Sequence, residues 1–362
     1  MKLSKKKIIL IAVLAVLAVL AVFVYNFIAD INDPLRAFAG SLNQPDPTGI
    51  PEDVIASTPT PIPQPGETPA PSTPTPTIDP MEALAQQADA EYMKNVINIL
   101  VLGMEKSAER ENWGTFRTDT MILLSLNFDK NTIHMISIPR DSYVSIHGKT
   151  ERGKINSAFS AGGGADKRGY EYAIKTVSNL FGGVKIHHYV GFDMNVVKEV
   201  VNAMGGVDYD VDIEVSMNGR KLHPGQQHLD GQAVLDYCRQ RKGSSDIARV
   251  DRQQRMLLAI FKQLKSTSQI ANIPSIYQAV QSNIDTDLNF TQICSLALFA
   301  DRVGFDDIQR HTLEGNFLNM NNISYWGISQ SKKQKLVKEV FGFTCPIVQE
   351  EDVGYIKQEL QE

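Results

Sequence analysis

Five arginines and one lysine crowd into Tyr237–Arg255, YCRQRKGSSDIARVDRQQR, against two aspartates. The chain as a whole carries a formal charge of −5, so this is a local reversal of sign. A guanidinium is always charged and presents a planar donor fork that fits phosphate two bonds at a time. Arg239 and Arg241 share one edge if their segment is extended, while Arg249 and Arg252 share one face if theirs is helical. A run of charges is ordinarily a solvated helix face. Only one of these six cations is lysine, the usual choice for solubility, so the stretch is a candidate oxyanion clamp.

Three further clusters have chemical character. In Arg117-Thr118-Asp119-Thr120 an acid enters a strand, where it either serves a site or simply pairs with Arg117. In Ser137–Asp141, SIPRD, a buried strand runs into Pro139 and then exposes Arg140 and Asp141. The carboxyl end of a sheet strand is where open α/β sheets place ligands. In Lys154–Gly164, KINSAFSAGGG, no Gly-Lys-Ser/Thr follows, so the glycines form a flexible turn and not a P-loop, and Lys154 is the useful residue. The seven histidines make no paired zinc motif, and His187-His188, neighbours on a strand, face opposite ways. There is no G-x-S-x-G elbow. Cys238, Cys294 and Cys345 fit neither a disulfide framework nor a thiolate metal site; they are either three free thiols or one Cys294–Cys345 bridge plus a thiol.

The elements that must position these residues begin after a long preamble. Lys2, Lys5, Lys6 and Lys7 precede an apolar run from Ile8 to Tyr25, extended by Phe27 and Ile28. About 18–21 residues match the hydrocarbon layer, and the lysines put the N-terminus in the cytoplasm and everything after it outside. A cleavable signal peptide is the alternative, but the run exceeds the usual signal length. Beyond it, 32 basic side chains face 41 acidic ones, the opposite of a nucleic-acid binder. Twelve of the 17 prolines lie between Pro45 and Pro80, interleaved with Thr and Ser. Extended at about 3.1 Å per residue, that stretch reaches on the order of 110 Å and holds the folded part away from the bilayer, or lets it sweep the surface. Strand patterns follow from Val96, Met121 and Thr132, then at His187–Val190 and Val207–Val215. Helical patterns cover Tyr170–Phe181, Met194–Met204, a start at Gly231, Arg249–Lys265, and shorter pieces near Tyr277, Thr291 and Lys332. Strands mixed with helices of this length predict an α/β fold with a central sheet covered on both faces.

Taken in order, GMEKSAERENWGTFRTDT, SIPRDSYVSIHG, KINSAFSAGG, IHHYVGFD, AMGGVDYDV and LDGQAVLDYCRQRKGSSDIARVDRQQ, behind a single anchor, closely resemble the LytR-CpsA-Psr family of bacterial cell-envelope phosphotransferases. The resemblance is strong over Asn95–Lys265 and continues more weakly to about residue 345. It implies a three-layer α-β-α sandwich with a central mixed sheet, behind an N-terminal transmembrane helix, with a deep apolar groove for a polyprenyl chain. It further implies transfer of a glycopolymer phosphate from undecaprenyl pyrophosphate to a muramic-acid C6 hydroxyl of peptidoglycan, with Mg²⁺ or Mn²⁺. By motif match, Arg117, Arg140, Arg239, Arg241 and Arg249 would bind the pyrophosphate, helped by Lys154 and Gln253. Asp119 would hold the metal. The family's first metal carboxylate sits in Gly-x-Asp-x-Arg; here the chain reads Gly103-Met104-Glu105-Lys106-Ser107, so Glu105, one methylene longer, takes that place. Asp246 is a candidate base, alongside Asp119, and Arg140 completes the catalytic set. Val196, Val197, Val200, Val201, Leu257, Leu258, Ile260 and Phe261 are the expected groove lining, with ordinary core as the alternative.

The expected organisation is a cytoplasmic stub (1–7), an anchor (8–28), a Pro/Thr-rich linker and lead-in (29–92), a catalytic domain (93–345) and a charged tail (346–362). The expected protein is a single-pass cell-membrane enzyme of a Gram-positive-type bacterium, catalytic side out, acting on wall teichoic acid, capsule or a related polymer. Its partners are the lipid-linked polymer, peptidoglycan and the bilayer, with no nucleic acid. The rivals are a polyprenyl-pyrophosphate phosphatase, a non-catalytic surface receptor or transcriptional attenuator, and a passive wall-binding module.

Overall fold

The computed structural model describes residues 24–43, 93–104, 117–217, 219–240, 246–266 and 273–345. Six strands form a mixed sheet: β1 (Val96–Met104), β2 (Thr118–Asn127), β3 (Thr132–Ser137), β4 (His188–Asp193), β5 (Ile284–Thr286) and β6 (Ile308–Thr312). Their spatial order is β5-β4-β1-β2-β3-β6. β1 runs parallel to β4, and β3 parallel to β6, while β2 is antiparallel to both β1 and β3. The carboxyl ends of β1, β3, β4 and β6 therefore meet at one edge of the sheet.

Seven helices matter for the argument: α1 (Gly169–Leu180), α2 (Met194–Ala203), α3 (Gly231–Arg239), α4 (Asp246–Ser266), α5 (Ile273–Val280), α6 (Phe290–Arg302) and α7 (Gln330–Phe341). The period of two along the strands sends alternate side chains to opposite faces. Leu100, Leu102, Met121, Leu123 and Ile136 meet Ala173 and Val177 of α1 and Val337 and Phe341 of α7. Ile97, Ile99, Ile122, Leu126, Ile133 and Met135 meet Phe299 of α6. The sheet is thus covered by helices on both faces. A third cluster joins α2, α3 and α4 to a two-stranded ribbon of Val207–Val211 and Gly225–Leu229. The single strand expected over Val207–Val215 instead stops at Val211, and Val215–Met217 pairs with Arg220–Leu222.

Helix starts follow their capping residues. Asp193 accepts from the Asn195 amide at 2.7 Å, Asp230 from the Ala233 amide at 2.8 Å, and Asn289 forms a capping box with Gln292. The glycine turn after Lys154 is ordered: Gly163 and Gly164 take φ of 88° and 80°, and the Gly169 amide donates to the Gly164 carbonyl.

One expectation is corrected here. Residues 29–43, taken from sequence as the start of a linker, pack onto the folded body. Phe38 is fully buried, 5.8 Å from the Phe128 ring and 5.5 Å from the His188 ring. Ser41 Oγ lies 2.7 Å from His188 Nε2, and Arg302 donates to the Asn32 carbonyl at 2.9 Å. No helix among the described residues is long and apolar enough to cross a membrane. Most of the expected anchor (residues 8–23), the linker from residue 44 and the tail from residue 346 lie outside the described residues.

His187 couples this core to pH. Its Nδ1 accepts from the Asn98 amide at 3.0 Å, and burial, reinforced by the Lys185 and His188 charges, pushes the imidazole down to about 3 from 6.5. Between those values the unfolded chain binds one proton more than the native chain, so stability rises with pH across that window. Acidifying from pH 6.5 towards 4 is expected to lower the urea midpoint, at up to about 1.4 kcal/mol per pH unit from this residue. In His187→Gln that slope should flatten, and an unchanged slope would remove His187 as its source.

Candidate functional site: an arginine–carboxylate cleft above an apolar strip

The site lies at the carboxyl edge of the sheet. β3 ends at Ser137, Ile138 is buried, and Pro139 turns the chain so that Arg140 and Asp141 emerge half-buried. Arg140 Nη1 donates to Asp119 Oδ1 at 2.7 Å, linking SIPRD to the RTDT segment that opens β2. Lys154 Nζ pairs with Asp141 Oδ1 at 2.7 Å, and Arg140 Nε stands 3.7 Å from the other Asp141 oxygen. Two cations and two carboxylates from three separate segments thereby form one chain of ion pairs. A cleft opens onto it, lined by Pro139, Arg140, Asp141, Arg249, Val250, Phe317 and Trp326.

Helix α4 delivers the arginine stretch. Arg249, Arg252, Met256 and Ile260 are buried at 5, 2, 1 and 7% exposure, one stripe at helical spacing. The two arginines continue the core face of the helix, which is why they are buried cations and not a solvated face. Arg252 donates to the Gln240 carbonyl and lies over the Tyr237 ring. Arg255 has a different job: it pairs with Asp212 at 2.6 Å and Asp251 at 2.8 Å. Gln253, on the sheet-facing side, accepts from the Thr120 hydroxyl at 3.2 Å.

Below Gln253 the same side of α4 reaches Leu257. There, Val101 on central strand β1, Leu124 on β2 and Val190 on β4 are only half-buried, together with Leu257 and with Ile293 and Leu296 of α6. Val101 pairs directly with Val190. Side chains in the middle of a six-stranded sheet are normally covered, so among the described residues the helix layer here leaves an apolar strip accessible. Of the expected lining, Leu257, Leu258 and Phe261 are half-buried, Ile260 is buried, and Val196 and Val201 are ordinary core, with Val197 and Val200 packed against it.

The structure brings together Asp119, Arg140, Lys154 and Arg249, and seats Gln253 on the neighbouring Thr120. Arg239, the last residue of α3, is half-buried, and its charge acts with that of Arg252 on Cys238. Arg117 is exposed immediately before β2. Glu105 and Arg241 lie outside the described residues, as does the side chain of Asp246, whose backbone opens α4. Sequence reasoning missed the contributions of Phe317 and Trp326. Asp141 and Arg252, which the sequence places in the SIPRD cluster and the arginine clamp without a role of their own, hold Lys154 and the Gln240 carbonyl. The cysteines are free, and burial pushes the Cys238 thiol up to about 12, which removes it as a thiolate nucleophile.

No group of three His, Cys, Asp or Glu side chains that could hold a metal occurs among the described residues. Mg²⁺, however, binds through one or two carboxylates plus substrate oxygens and water. The Asp119 carboxylate, 19% exposed and paired with Arg140, supplies one hard oxygen donor of that kind.

These features define an α/β protein with a central mixed sheet, a cleft holding Arg140 and Arg249 at its carboxyl edge and a half-buried apolar strip along α4. Residues 73–341 match the LytR_cpsA_psr family, and the chain belongs to that family. A curated relative, "Polyisoprenyl-teichoic acid--peptidoglycan teichoic acid transferase TagU" of Oceanobacillus iheyensis, is 32% identical, covering 69% of this chain and 76% of its own. The crystal structure of TagV from B. subtilis is similar at 30% identity and a TM-score of 0.59, covering 69% of this chain and 99% of that one. A structure of TagT bound to LIIa-WTA is 25% identical with a TM-score of 0.56, covering 73% of this chain and 92% of that one.

Proposed function

We propose that this protein is a membrane-anchored phosphotransferase that moves a glycopolymer from a polyprenyl-pyrophosphate carrier to peptidoglycan on the outer side of the membrane. The observation that carries the reading is the geometry of α4. One helix presents Arg249 to the cleft it shares with Arg140 and, eight residues on, Leu257 to the apolar strip. At about 1.5 Å per residue these are roughly 12 Å apart, a spacing that suits a charged head joined to an apolar tail. The TagU relative's name supplies the donor and acceptor classes. The apolar run from Ile8 serves as the anchor.

In this reading Arg140 and Arg249, with Arg117, Arg239, Arg241, Lys154 and Gln253, hold the pyrophosphate. Their charge is fixed before reaction, so the charge developing on the leaving phosphate is stabilised without reorganisation. The acceptor hydroxyl oxygen attacks the phosphorus that bears the polymer. The anhydride P–O bond breaks, polyprenyl phosphate leaves, and the hydroxyl proton passes to a carboxylate, Asp246 or Asp119. Asp119, with Glu105, would hold a Mg²⁺ or Mn²⁺, whose contribution when bound is to neutralise phosphate oxygens.

Incubating the purified protein with a lipid-pyrophosphate-linked saccharide, with and without glycan acceptor, tests this. A saccharide joined to the glycan is expected. Hydrolysis alone, equal with and without glycan, would make the protein a phosphatase instead. Chelation with excess EDTA is expected to lower transfer by more than about tenfold, with recovery on adding Mg²⁺ or Mn²⁺. Full activity in EDTA would take Asp119 out of the metal role.

A further inference from the structure

We infer that the exposed part of the Phe317 face of the hairpin formed by Gly315–Met320 and Ile323–Ile328 is a saccharide platform, which seats the acceptor glycan beside the phosphate cleft. This rests on the transferase reading and adds to it a location for the second substrate.

The hairpin is stiff and firmly rooted. Asn321 and Asn322, the two residues joining its strands, take φ of 51° and 62°. A two-residue turn with both φ positive matches the natural twist of the flanking strands. At the base, the Trp326 amide donates to the Asp141 carbonyl at 2.8 Å and its indole Nε1 to the Leu313 carbonyl at 3.0 Å. The platform is therefore tied to the residue next to Arg140.

Strand alternation gives the hairpin two different faces. Leu318 and Tyr325 pair on one, and there the Tyr325 ring meets Tyr143 edge-on at 4.9 Å with the Lys154 ammonium 5.5 Å away. Phe317 pairs with Trp326 on the other face, between the Gly315–Ile328 and Asn319–Ser324 pairs. Trp326 and Ile328, 8% and 2% exposed, root that face in the core, and Phe317, Asn319 and Ser324 are its exposed part. Phe317 is 62% exposed and stands edge-on to Trp326, at 5.1 Å and 81°. Both rings line the cleft that contains Arg140 and Arg249.

An aromatic ring carries a negative face, and the axial C–H groups of a sugar present a flat, weakly positive one, so the two stack. Exposed Asn319 and Ser324 at the edge of the ring supply amide and hydroxyl partners for the sugar's hydroxyls. An apolar surface with a few convergent polar groups is the composition of a small-ligand site. In the proposed reading the donor is held chiefly through its phosphates and lipid, at the arginines and the apolar strip. The acceptor hydroxyl comes on a glycan strand whose backbone has no phosphate for the arginines to grip. Its orientation must come from stacking and hydrogen bonds near the reacting phosphorus.

The test titrates the full chain with a tetrasaccharide of alternating N-acetylglucosamine and N-acetylmuramic acid. Phe317→Ala is expected to weaken tetrasaccharide binding about tenfold, and Phe317→Tyr to retain it. In turnover, Phe317→Ala should raise the acceptor KM about tenfold while the donor KM holds. Unchanged tetrasaccharide affinity in Phe317→Ala, or no binding by the wild-type chain, would overturn the platform. A wild-type chain that binds the tetrasaccharide in a Phe317-dependent way but transfers nothing to it would sink the transferase reading and leave the platform standing.

Discussion

Replacing Arg140 by alanine is expected to cost about a thousandfold in transfer while leaving the far-UV spectrum of the protein intact, the upper end of what removal of one preorganised donor costs. The size follows from where Arg140 sits. It bonds Asp119 at 2.7 Å and faces the cleft together with Arg249, so its loss removes a fixed charge from the cleft and a donor from that carboxylate. Folding should survive, because the side chain is 20% exposed at the cleft mouth and Asp141 keeps its Lys154 partner. Arg140→Lys separates charge from geometry. A lysine restores the charge but not the planar fork, so recovery should be partial. Transfer by Arg140→Ala at the wild-type rate would dismantle the assigned phosphate site.

The second large effect is on stability. Phe38→Ala is expected to lower the unfolding free energy by about 3–5 kcal/mol, the usual cost of emptying a fully buried phenylalanine site. The ring fills a hollow between Phe128 and His188. Equilibrium urea unfolding reads the loss. Amide exchange over residues 24–43 should rise with it, since beyond this packing Ser41 is held to the body by two hydrogen bonds and Asn32 by one. A change below about 1 kcal/mol would mean that the segment contributes little to the fold.

Much of the site was legible in the sequence because its parts obey local rules. Arg140 stands out because a β-rich run ends at a proline, and Arg249 because the helix around it repeats its apolar residues at the right spacing. The resemblance to a known family ordered these pieces. The parts that stayed hidden break the same rules. The hairpin carries an exposed Phe317 and turns on Asn-Asn, so its alternation is masked by an aromatic on the open face. β5 has three residues, and β6 reads Ile-Gln-Arg-His-Thr, too short and too polar to announce edge strands. Leu35, Phe38 and Leu42 recur at helical spacing and pack onto the body, a period obscured by the apolar run before them and the proline-rich stretch after. The apolar strip was legible only in part: Leu257 was found, but Val101, Leu124 and Val190 look like any other core strand residues until the covering helices are in place.

The docking of residues 24–43 changes what the proline-rich stretch can do. Residues 44–92 depart from Asn43 and rejoin at Met93, and both points belong to the same folded unit. Their contour length, however great, therefore adds nothing to the distance between residues 24–43 and the arginine cleft. Shortening the prolines would leave that distance where it is, whereas prising Phe38 from its hollow would let it grow.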